Sequence, residues 1–410
     1  MIVQRQPHRV IADPRRVIAR FFQPGDEERV GRVVGRVLAL PEEEVERVLE
    51  AVLRDFAHRH RDFEQILRWH YRRVAQHVPA GHELSEARCL LIGTYFTQEY
   101  SIEAAALFNP SIVLHPDQSE IAPREARVIL SYRATGEGHI SSVEFRSGVL
   151  SPDGELAYDP PSPFARLPEV LDDQTIRFPP DAPLSERVIF PLTSDERNGI
   201  EDVRFVRFVD DDGTVTYFGT YTAYDGHHIH PKLMTTSDFI TFRLIPLEGK
   251  VVRNKGFALF PRRVRGQYVM LGRQDNENNF IMVSDDLLRW DEAHLLRAPI
   301  APRELVQIGN NGSPIETEAG WLVLTHGVGP MRRYTLGADL LALDDPTRII
   351  GRLEQPLLAP NESEREGYVP NVVYTCGALL HNDRLVIPYA MSDSASGVAT
   401  VRLDDLLRAL

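Results

Sequence analysis

Residues 199–225, GIEDVRFVRFVDDDGTVTYFGTYTAYD, decide the fold of this chain. The stretch begins with a polar, turn-prone segment and continues into a short strand of alternating apolar residues. Asp210–Gly213 then makes a tight turn, and a second strand ends in tyrosines and an aspartate. This pattern predicts a β-hairpin that carries its polar groups at one end.

Similar units begin near four other positions in the chain. The starts are near Asn109, Gly199, Lys255, Asn311 and Pro370, and the last four lie 56, 56 and 59 residues apart. A repeat of this length with several short strands is typical of a β-propeller. We therefore predict a mainly β protein built as a five-bladed β-propeller over residues 91–410, with the polar ends of the strands meeting at one site.

Residues 1–90 have a different pattern. Asp26–Leu38, Pro41–Phe56 and Phe63–Val78 each place apolar residues on one helical face. We predict an N-terminal α-helical region that stabilises the fold, covers the site as a lid, or forms a homo-oligomer through its helices. The Pro-rich segment 149–190 is predicted to be an irregular excursion between repeats.

Composition restricts the function classes. The chain has 410 residues and a net charge of −13, which gives no electrostatic support for nucleic-acid binding. No stretch is apolar enough to span a membrane, and no signal peptide is recognisable. The two cysteines, Cys89 and Cys376, make no disulfide framework. A cytoplasmic location fits these features best.

The polar clusters at the strand ends contain carboxylates, amides, arginines and aromatic rings. Such a set suits a carbohydrate, which is held by hydrogen bonds to its hydroxyls and by rings against its C–H faces. Glycoside hydrolysis needs one protonated acid and one carboxylate that activates water. Acidic residues are too numerous for the pattern alone to assign these roles.

The same residues resemble glycoside hydrolase family 130, the β-mannosidases and β-mannoside phosphorylases. The resemblance runs from about Tyr100 to Leu407. It rests on the motifs ALFNPSIV (106–113), GIEDVRF (199–205), NKGFALFP (254–261), PIETEAGWLVLTHGVG (314–329), EREGYVPNVVY (364–374) and IPYAMSD (387–393). It implies a five-bladed propeller, an inverting mechanism on β-mannosides, and Asp202 as the proton donor, with the proton relayed through a sugar hydroxyl.

The resemblance leaves the nucleophile to be decided. Glu277, Glu316 and Glu366 fall at the relevant strand ends, and carboxylates beside a phosphate dianion are unfavourable. We therefore expect water as the nucleophile, activated by Glu277 and Glu316, with Glu366 as the third candidate. A cluster of arginine, lysine and histidine would instead hold phosphate, and Arg204, Arg273, Arg332 and His326 keep that alternative open.

Further substrate-binding candidates follow from their positions at the strand ends. They are Asn109, Ser111, Arg133, Arg204, Tyr221, Asp225, Lys255, Arg273, Asp275, His326, Arg332, Tyr334, Glu366, Tyr368 and Asp393.

No cofactor or metal is expected. His227, His228 and His230 stand too close together in sequence to converge easily on one ion. Gly136–His139 is rich in glycine, but no helix follows it, so it is not a phosphate loop. The resemblance to family 130 implies a position near the sugar for His139.

The sequence thus predicts an inverting glycoside hydrolase acting on β-1,2-linked manno-oligosaccharides. One alternative is a β-mannoside phosphorylase that releases α-mannose 1-phosphate. The other is a propeller that binds glycans without turning them over.

Overall fold

The computed structural model describes residues 3–410, and its regular structure is mainly β-strand. The mainly β prediction is therefore confirmed. Two compact units are present. One comprises residues 13–103 and 162–166, and the other comprises the preceding N-terminal residues, 104–161 and 167–410.

The smaller unit is helical. Its helices are α1 (Glu27–Leu38), α2 (Glu42–Phe56), α3 (Phe63–Arg72) and α4 (Glu86–Tyr95), and Val17–Phe21 pairs with Thr97–Ser101 as a two-stranded sheet. The Asp26 side chain accepts a hydrogen bond from the backbone N–H of Arg29 and so caps α1. Gly93 allows α4 to lie against α3, because a Cβ there would be 2.1 Å from the Leu67 carbonyl oxygen. Among the described residues, no helix combines the length and the apolar character that a membrane crossing requires.

The larger unit contains five antiparallel sheets of four to six strands. Sheet 1 comprises Ala106–Leu114, Ala126–Thr135, Ser141–Leu150, Leu156–Tyr158 and Val188–Ile189. Sheet 2 comprises Glu169–Val170, Thr175–Arg177, Ile200–Val209, Val215–Tyr224, Ile229–Thr236 and Thr241–Pro246. Sheet 3 comprises Lys255–Leu259, Tyr268–Arg273, Asn279–Ser284 and His294–Arg297.

Sheets 4 and 5 complete the series. Sheet 4 comprises Gln307–Asn310, Ile315–Thr317, Gly320–Val328, Tyr334–Leu341 and Ile349–Arg352. Sheet 5 comprises Gln4–Arg5, Val10–Ile11, Val373–Tyr374, Leu379–His381, Arg384–Met391 and Ala395–Arg402, and helix α5 (Leu403–Ala409) follows it. The first strands of the chain thus belong to the last sheet and not to the helical unit. Arg5 also pairs with the buried Glu364 at 2.8 Å.

Hydrogen bonds join each sheet to the next and join sheet 5 back to sheet 1. They run between Ser111 and Phe205, Thr220 and Phe257, Asn310 and Gly256, Asn311 and Thr375, and Cys376 and Pro110. Apolar side chains fill the spaces between neighbouring sheets, as Phe145, Phe205 and Phe242 do between sheets 1 and 2.

One strand in each of sheets 1, 2 and 3 has an irregularity near its beginning, and these strands are Ala106–Leu114, Ile200–Val209 and Lys255–Leu259. The pairing register shifts between Phe108 and Ser111, between Glu201 and Arg204, and between Lys255 and Ala258. Within these bulges Asn109, Asp202 and Gly256 have positive φ angles of 49°, 52° and 92°. A bulge turns a side chain away from the regular alternation of a strand, and left-handed conformations in non-glycine residues concentrate at functional sites. The three bulges therefore mark one end of these strands as the candidate site.

The excursion over 149–190 is only partly irregular. Glu169–Val170 and Thr175–Arg177 extend sheet 2 at its outer edge, and Val188–Ile189 extends sheet 1. Residues 162–166 belong to the helical unit.

Candidate active site

Asp202 lies at the centre of the candidate site. Its Oδ1 accepts a hydrogen bond of 2.7 Å from the Asn109 side chain, and Nη1 of Arg133 lies 3.4 Å from the same oxygen. Only 13% of the Asp202 side chain is exposed. The bulges of sheets 1 and 2 thus bring an amide and a carboxylate together at one point.

Arg133 connects Asp202 to its neighbour Glu201. Nη2 of Arg133 donates to Glu201 at 2.9 Å, and Nε of Arg133 donates to Ser141 Oγ at 2.9 Å. The ammonium of Lys255 lies 3.5 Å from the other oxygen of Glu201. We call Glu201, Asp202 and Asp393, with Arg133 and Lys255, the carboxylate cluster.

The two aspartates of this cluster differ in proton affinity. Burial raises the pKa of Asp202, but Arg133, Arg204 and Lys255 outweigh burial and hold that pKa below its usual value. Burial and the negative charge of Asp202 raise the pKa of Asp393 to about 6, against the opposing effect of Arg133 and Arg332. The free protein at neutral pH therefore carries an ionised Asp202, while Asp393 titrates just below neutrality.

A second group, which we call the basic cluster, consists of Arg204, Arg273 and His326, and all three are buried. Arg204 donates to the backbone oxygen of Asn311 and, at 2.8 Å, to the hydroxyl of Tyr374. Its Nη1 also lies 3.2 Å from the backbone oxygen of Asp202, which connects the two clusters. Among residues 3–410, no carboxylate lies within ion-pair distance of Arg204 or Arg273.

Two glycines make room for Arg273. A Cβ on Gly309 would lie 2.1 Å from Cδ of Arg273 and 2.8 Å from Cε1 of His326. A Cβ on Gly256 would lie 2.7 Å from Nε of Arg273. Any side chain at either position would push the guanidinium out of its place.

The imidazole of His326 is neutral and carries an unsatisfied donor. Burial, Arg273 and Arg204 hold the pKa of His326 well below its usual value. Nη1 of Arg273 lies 3.3 Å from Nε2 of His326, and since a guanidinium can only donate, Nε2 accepts and the ring proton sits on Nδ1. This Nδ1 is buried and has no partner, and neither has Nε of Arg273. Buried donors without partners are costly, so an acceptor that reached them would be bound favourably.

Aromatic rings enclose the basic cluster. The Tyr334 ring stacks on His326 at 5.9 Å between centroids, and the Tyr374 ring lies 5.0 Å from His326 at a tilt of 59°. Apolar ring faces lower the local polarity, which strengthens electrostatic interactions with any ligand that reaches the arginines.

The structure does not bring Glu316 to Asp202. Glu316 makes a two-pronged ion pair with Arg262 at 2.6 and 2.8 Å. Both line a pocket of about 510 Å³ together with Val209, the last residue of the strand that contains Asp202 near its beginning. At about 3.3 Å per residue, Val209 lies on the order of 20 Å from Asp202. Glu316 therefore marks the opposite end of these strands.

The other two predicted glutamates are exposed. The backbone N–H of Glu277 donates to Asp275, and its carbonyl accepts from Ile308. Asp275 also accepts from Asn278, so its carboxylate organises this turn. Glu366 is exposed in the segment before Tyr368.

Three more predicted ligands have structural partners. Tyr221 is buried, and its hydroxyl donates to Glu196 at 2.8 Å. Asp225 accepts backbone hydrogen bonds from His227 and His228, and these bonds lower the pKa of its carboxyl. Ser111 is buried, and its Oγ accepts from the backbone of Phe205 between sheets 1 and 2.

The remaining candidates fall in or around the two clusters. They are Asn109, Arg133, Arg204, Lys255, Arg273, His326, Arg332, Tyr334, Tyr368 and Asp393. Sequence reasoning missed Tyr374, Ser141 and Gly309. Tyr374 ends the motif EREGYVPNVVY and could have been found there, whereas nothing in the sequence distinguishes Ser141 or Gly309. Among the described residues, no cluster of histidine, cysteine, aspartate or glutamate could hold a metal ion.

Comparison with known proteins identifies the family. Residues 89–410 match the family described as beta-1,4-mannooligosaccharide phosphorylase, glycoside hydrolase family 130. This chain belongs to glycoside hydrolase family 130. The resemblance seen in its motifs is thus confirmed.

Two curated family 130 relatives are similar over about half of this chain. The 1,2-beta-oligomannan phosphorylase of Thermoanaerobacter sp. is 34% identical over 232 residues, which are 54% of this chain and 75% of the relative. The beta-1,2-mannobiose phosphorylase of Listeria innocua is 31% identical over 231 residues, 54% of this chain and 63% of the relative. A solved structure of beta-1,2-mannobiose phosphorylase from Listeria innocua in complex with beta-1,2-mannobiose superposes with a TM-score of 0.54 at 22% identity. It covers 75% of this chain and 92% of that structure. This likeness shows a propeller-like fold.

These relatives overturn one prediction made from the sequence. Hydrolysis by a water molecule that Glu277 and Glu316 activate is wrong, since all five curated relatives compared are named as phosphorylases. The sequence argument failed because it counted carboxylates near strand ends without knowing which end each strand presents. Glu316 is paired with Arg262, whereas Arg204, which contacts the backbone of Asp202, has no carboxylate partner in the described part of the chain.

Proposed function

We propose that this family 130 member is a phosphorylase that cleaves β-1,2-linked manno-oligosaccharides with inorganic phosphate and releases α-mannose 1-phosphate. The observation that carries the proposal is the basic cluster. Arg204 and Arg273 are buried cations without a carboxylate partner, and His326 and Arg273 have unsatisfied donors beside them. Phosphate supplies two negative charges and several acceptor oxygens. It would therefore balance the charges of the arginines and accept hydrogen bonds from the unsatisfied donors. The names of the relatives support the substrate and the linkage.

We also propose that the five sheets are the blades of a five-bladed propeller. The hydrogen bonds that lead from each sheet to the next and return to sheet 1 support a closed ring. In that arrangement, the three bulges face one central pocket, and the Glu316 end is the opposite opening.

In the proposed reaction, a phosphate oxygen attacks the anomeric carbon of the mannose while the glycosidic bond breaks. Asp202 supplies the proton that the leaving oxygen needs, directly or through a sugar hydroxyl. The hydrogen phosphate that attacks carries a proton, which returns to Asp202 after the new bond forms. Atoms and charges therefore balance, and Asp202 is ready for the next cycle.

The charges of the site explain how Asp202 obtains its proton. In the free protein, three cations hold its pKa below the usual value. Binding a phosphate dianion next to Arg204 would offset these cations and raise the pKa of Asp202. We therefore propose that phosphate binding primes the acid, so that Asp202 becomes protonated in the complex with phosphate.

The decisive experiment is incubation with β-1,2-mannobiose with and without phosphate, followed by identification of the products. We expect α-mannose 1-phosphate and mannose in its presence, and no appreciable turnover in its absence. Release of mannose alone at the same rate in both samples would reject the phosphorylase. Asp202→Asn should lower the turnover seen with phosphate by about 10²–10⁴-fold, which shows that the activity belongs to this protein.

A further inference from the structure

Two exposed aromatic side chains contact each other at the rim of the carboxylate cluster. The rings of His139 and Tyr368 lie 5.5 Å apart at a tilt of 33°, and 63% of Tyr368 is exposed. His139 belongs to the connection between two strands of sheet 1, and Tyr368 belongs to the segment that leads into sheet 5. The pair therefore bridges two sheets that are far apart in sequence.

The loop of His139 is fixed to the site by its next residues. Gly136 and Ile140 close the loop with a backbone hydrogen bond of 3.0 Å, and His139 has a positive φ of 61°. Ser141 follows directly and accepts the hydrogen bond from Nε of Arg133, which in turn contacts Asp202. The position of the His139 ring is thus tied to the carboxylate cluster.

The segment that contains Tyr368 is fixed by contacts with the backbone of Ser392. The backbone N–H of Val369 donates to the carbonyl of Ser392, the neighbour of Asp393. Gly367 lies so close to Ser392 that a Cβ there would be 2.3 Å from its carbonyl oxygen. The backbone on both sides of Tyr368 therefore lies against Ser392, the neighbour of Asp393, although the Tyr368 ring is exposed.

The burial of the basic cluster indicates the direction in which a bound oligosaccharide extends. The basic cluster is buried, so an oligosaccharide whose scissile bond lies at Asp202 extends outward past the rim. With the two sugars that flank this bond beside Asp202 and Asp393, a third sugar would extend toward the exposed rings of His139 and Tyr368. Aromatic faces bind the C–H face of a sugar, and an imidazole can exchange hydrogen bonds with its hydroxyls.

We infer that His139 and Tyr368 form a platform for the third mannose unit and make trisaccharides and longer chains better substrates than the disaccharide. The inference rests on the proposed manno-oligosaccharide specificity, but not on phosphate as the nucleophile. The quantity that reports on the platform is the ratio of kcat/KM for mannotriose to kcat/KM for mannobiose.

The experiment measures this ratio for β-1,2-linked substrates in the wild type, Tyr368→Ala, Tyr368→Phe and His139→Ala. We expect a wild-type ratio well above one and a fall of about fivefold in Tyr368→Ala, the size of one aromatic contact. Tyr368→Phe keeps the ring and should keep most of the ratio. Tyr95→Ala, which removes a 45% exposed tyrosine from helix α4, is the matched control and should leave the ratio unchanged.

A binding measurement separates this inference from the proposed reaction. Calorimetry of Asp202→Asn with mannobiose and mannotriose, without phosphate, should show the same preference for the trisaccharide and its loss when Tyr368→Ala is added. If turnover needs no phosphate but this preference is present, the phosphorylase fails and the platform stands. If phosphorolysis occurs but the ratio is the same in the wild type and Tyr368→Ala, the platform is rejected.

Discussion

Nη1 of Arg273 lies 3.3 Å from Nε2 of His326, and both side chains are buried without a carboxylate partner. The guanidinium and the neutral imidazole have hydrogen-bond donors in this position, but no anionic acceptor among residues 3–410 is bonded to them. Folding a buried cation without compensation is expensive, so such a pair persists where ligand binding depends on it. This relationship is the physical basis for our proposal that phosphate is the nucleophile.

Replacing Arg273 should weaken phosphate binding. Arg273→Met removes the buried cation at similar length, and we expect the KM for phosphate to rise at least tenfold, because a charge-assisted hydrogen bond in a buried site is worth about 1.5–3 kcal/mol. Initial rates at varied phosphate and saturating mannobiose measure the effect. Arg262→Met is the matched control, since Arg262 pairs with Glu316 away from the basic cluster, and it should leave the KM for phosphate within about twofold of the wild type. Equal effects of the two substitutions would contradict the proposed phosphate site.

Gly309→Ala should have a similar effect without removing any charge. The added Cβ would lie 2.1 Å from Cδ of Arg273 and would displace the guanidinium. We expect a higher KM for phosphate, together with a loss of stability of about 1–3 kcal/mol from overpacking. Gly35→Ala in helix α1 meets no atom within 4 Å and serves as the control for both readouts. Normal phosphate kinetics in Gly309→Ala would show that Arg273 is not a phosphate ligand.

Asp202→Asn should remove the general acid while the fold is kept. Asparagine tolerates the positive φ of 52° at this position and retains the shape of the side chain. We expect kcat to fall by about 10²–10⁴-fold, the usual contribution of a general acid. Circular dichroism and thermal unfolding should match the wild type. Turnover within a few-fold of the wild type would remove Asp202 from its assigned role.

Asp393 should make stability depend on pH. Its pKa in the folded protein is about 6, above the ordinary value of 3.8, so the folded state binds this proton more tightly than the unfolded state does. The resulting contribution to stability is fully present below about pH 4 and is lost as the pH rises through 6. Asp393→Asn should therefore gain on the order of 2 kcal/mol relative to the wild type between pH 4 and pH 7.5. Urea unfolding of both proteins at the two pH values measures the difference, and a constant difference would show that Asp393 has an ordinary pKa.

Glu316→Gln tests the correction to the sequence-based assignment. Glu316 contacts Arg262, and both side chains are about 40% exposed, so the ion pair is worth at most about 1 kcal/mol. We expect kcat within about twofold of the wild type and a small decrease in stability. A loss of activity comparable to that of Asp202→Asn would restore Glu316 to the active site.

Much of the architecture was accessible from the sequence because it depends on local pattern. Alternating strands, tight turns and a repeat of nearly constant length determine hairpins, and hairpins with one apolar face must pack in layers. The helices α1 and α2 were predicted to begin and end within a residue or two of where they do, because caps and apolar periodicity are local signals. Family motifs likewise placed Asp202, Asn109 and Lys255 together.

The sequence by itself determined the mainly β fold, the helical segment and the family of this protein. Only the tertiary structure decided which polar groups share a site, because strands run in both directions and each has two ends. Asp202 and Glu316 both lie beside apolar strand residues in the sequence, yet the carboxylate of Asp202 contacts Asn109 and Arg133, and that of Glu316 contacts Arg262. The same holds for Arg273, His326 and Gly309, whose mutual contacts depend on the packing of sheet 3 against sheet 4. Whether a buried arginine has a counter-ion is a property of contacts between distant segments, and these contacts support phosphate as the proposed nucleophile.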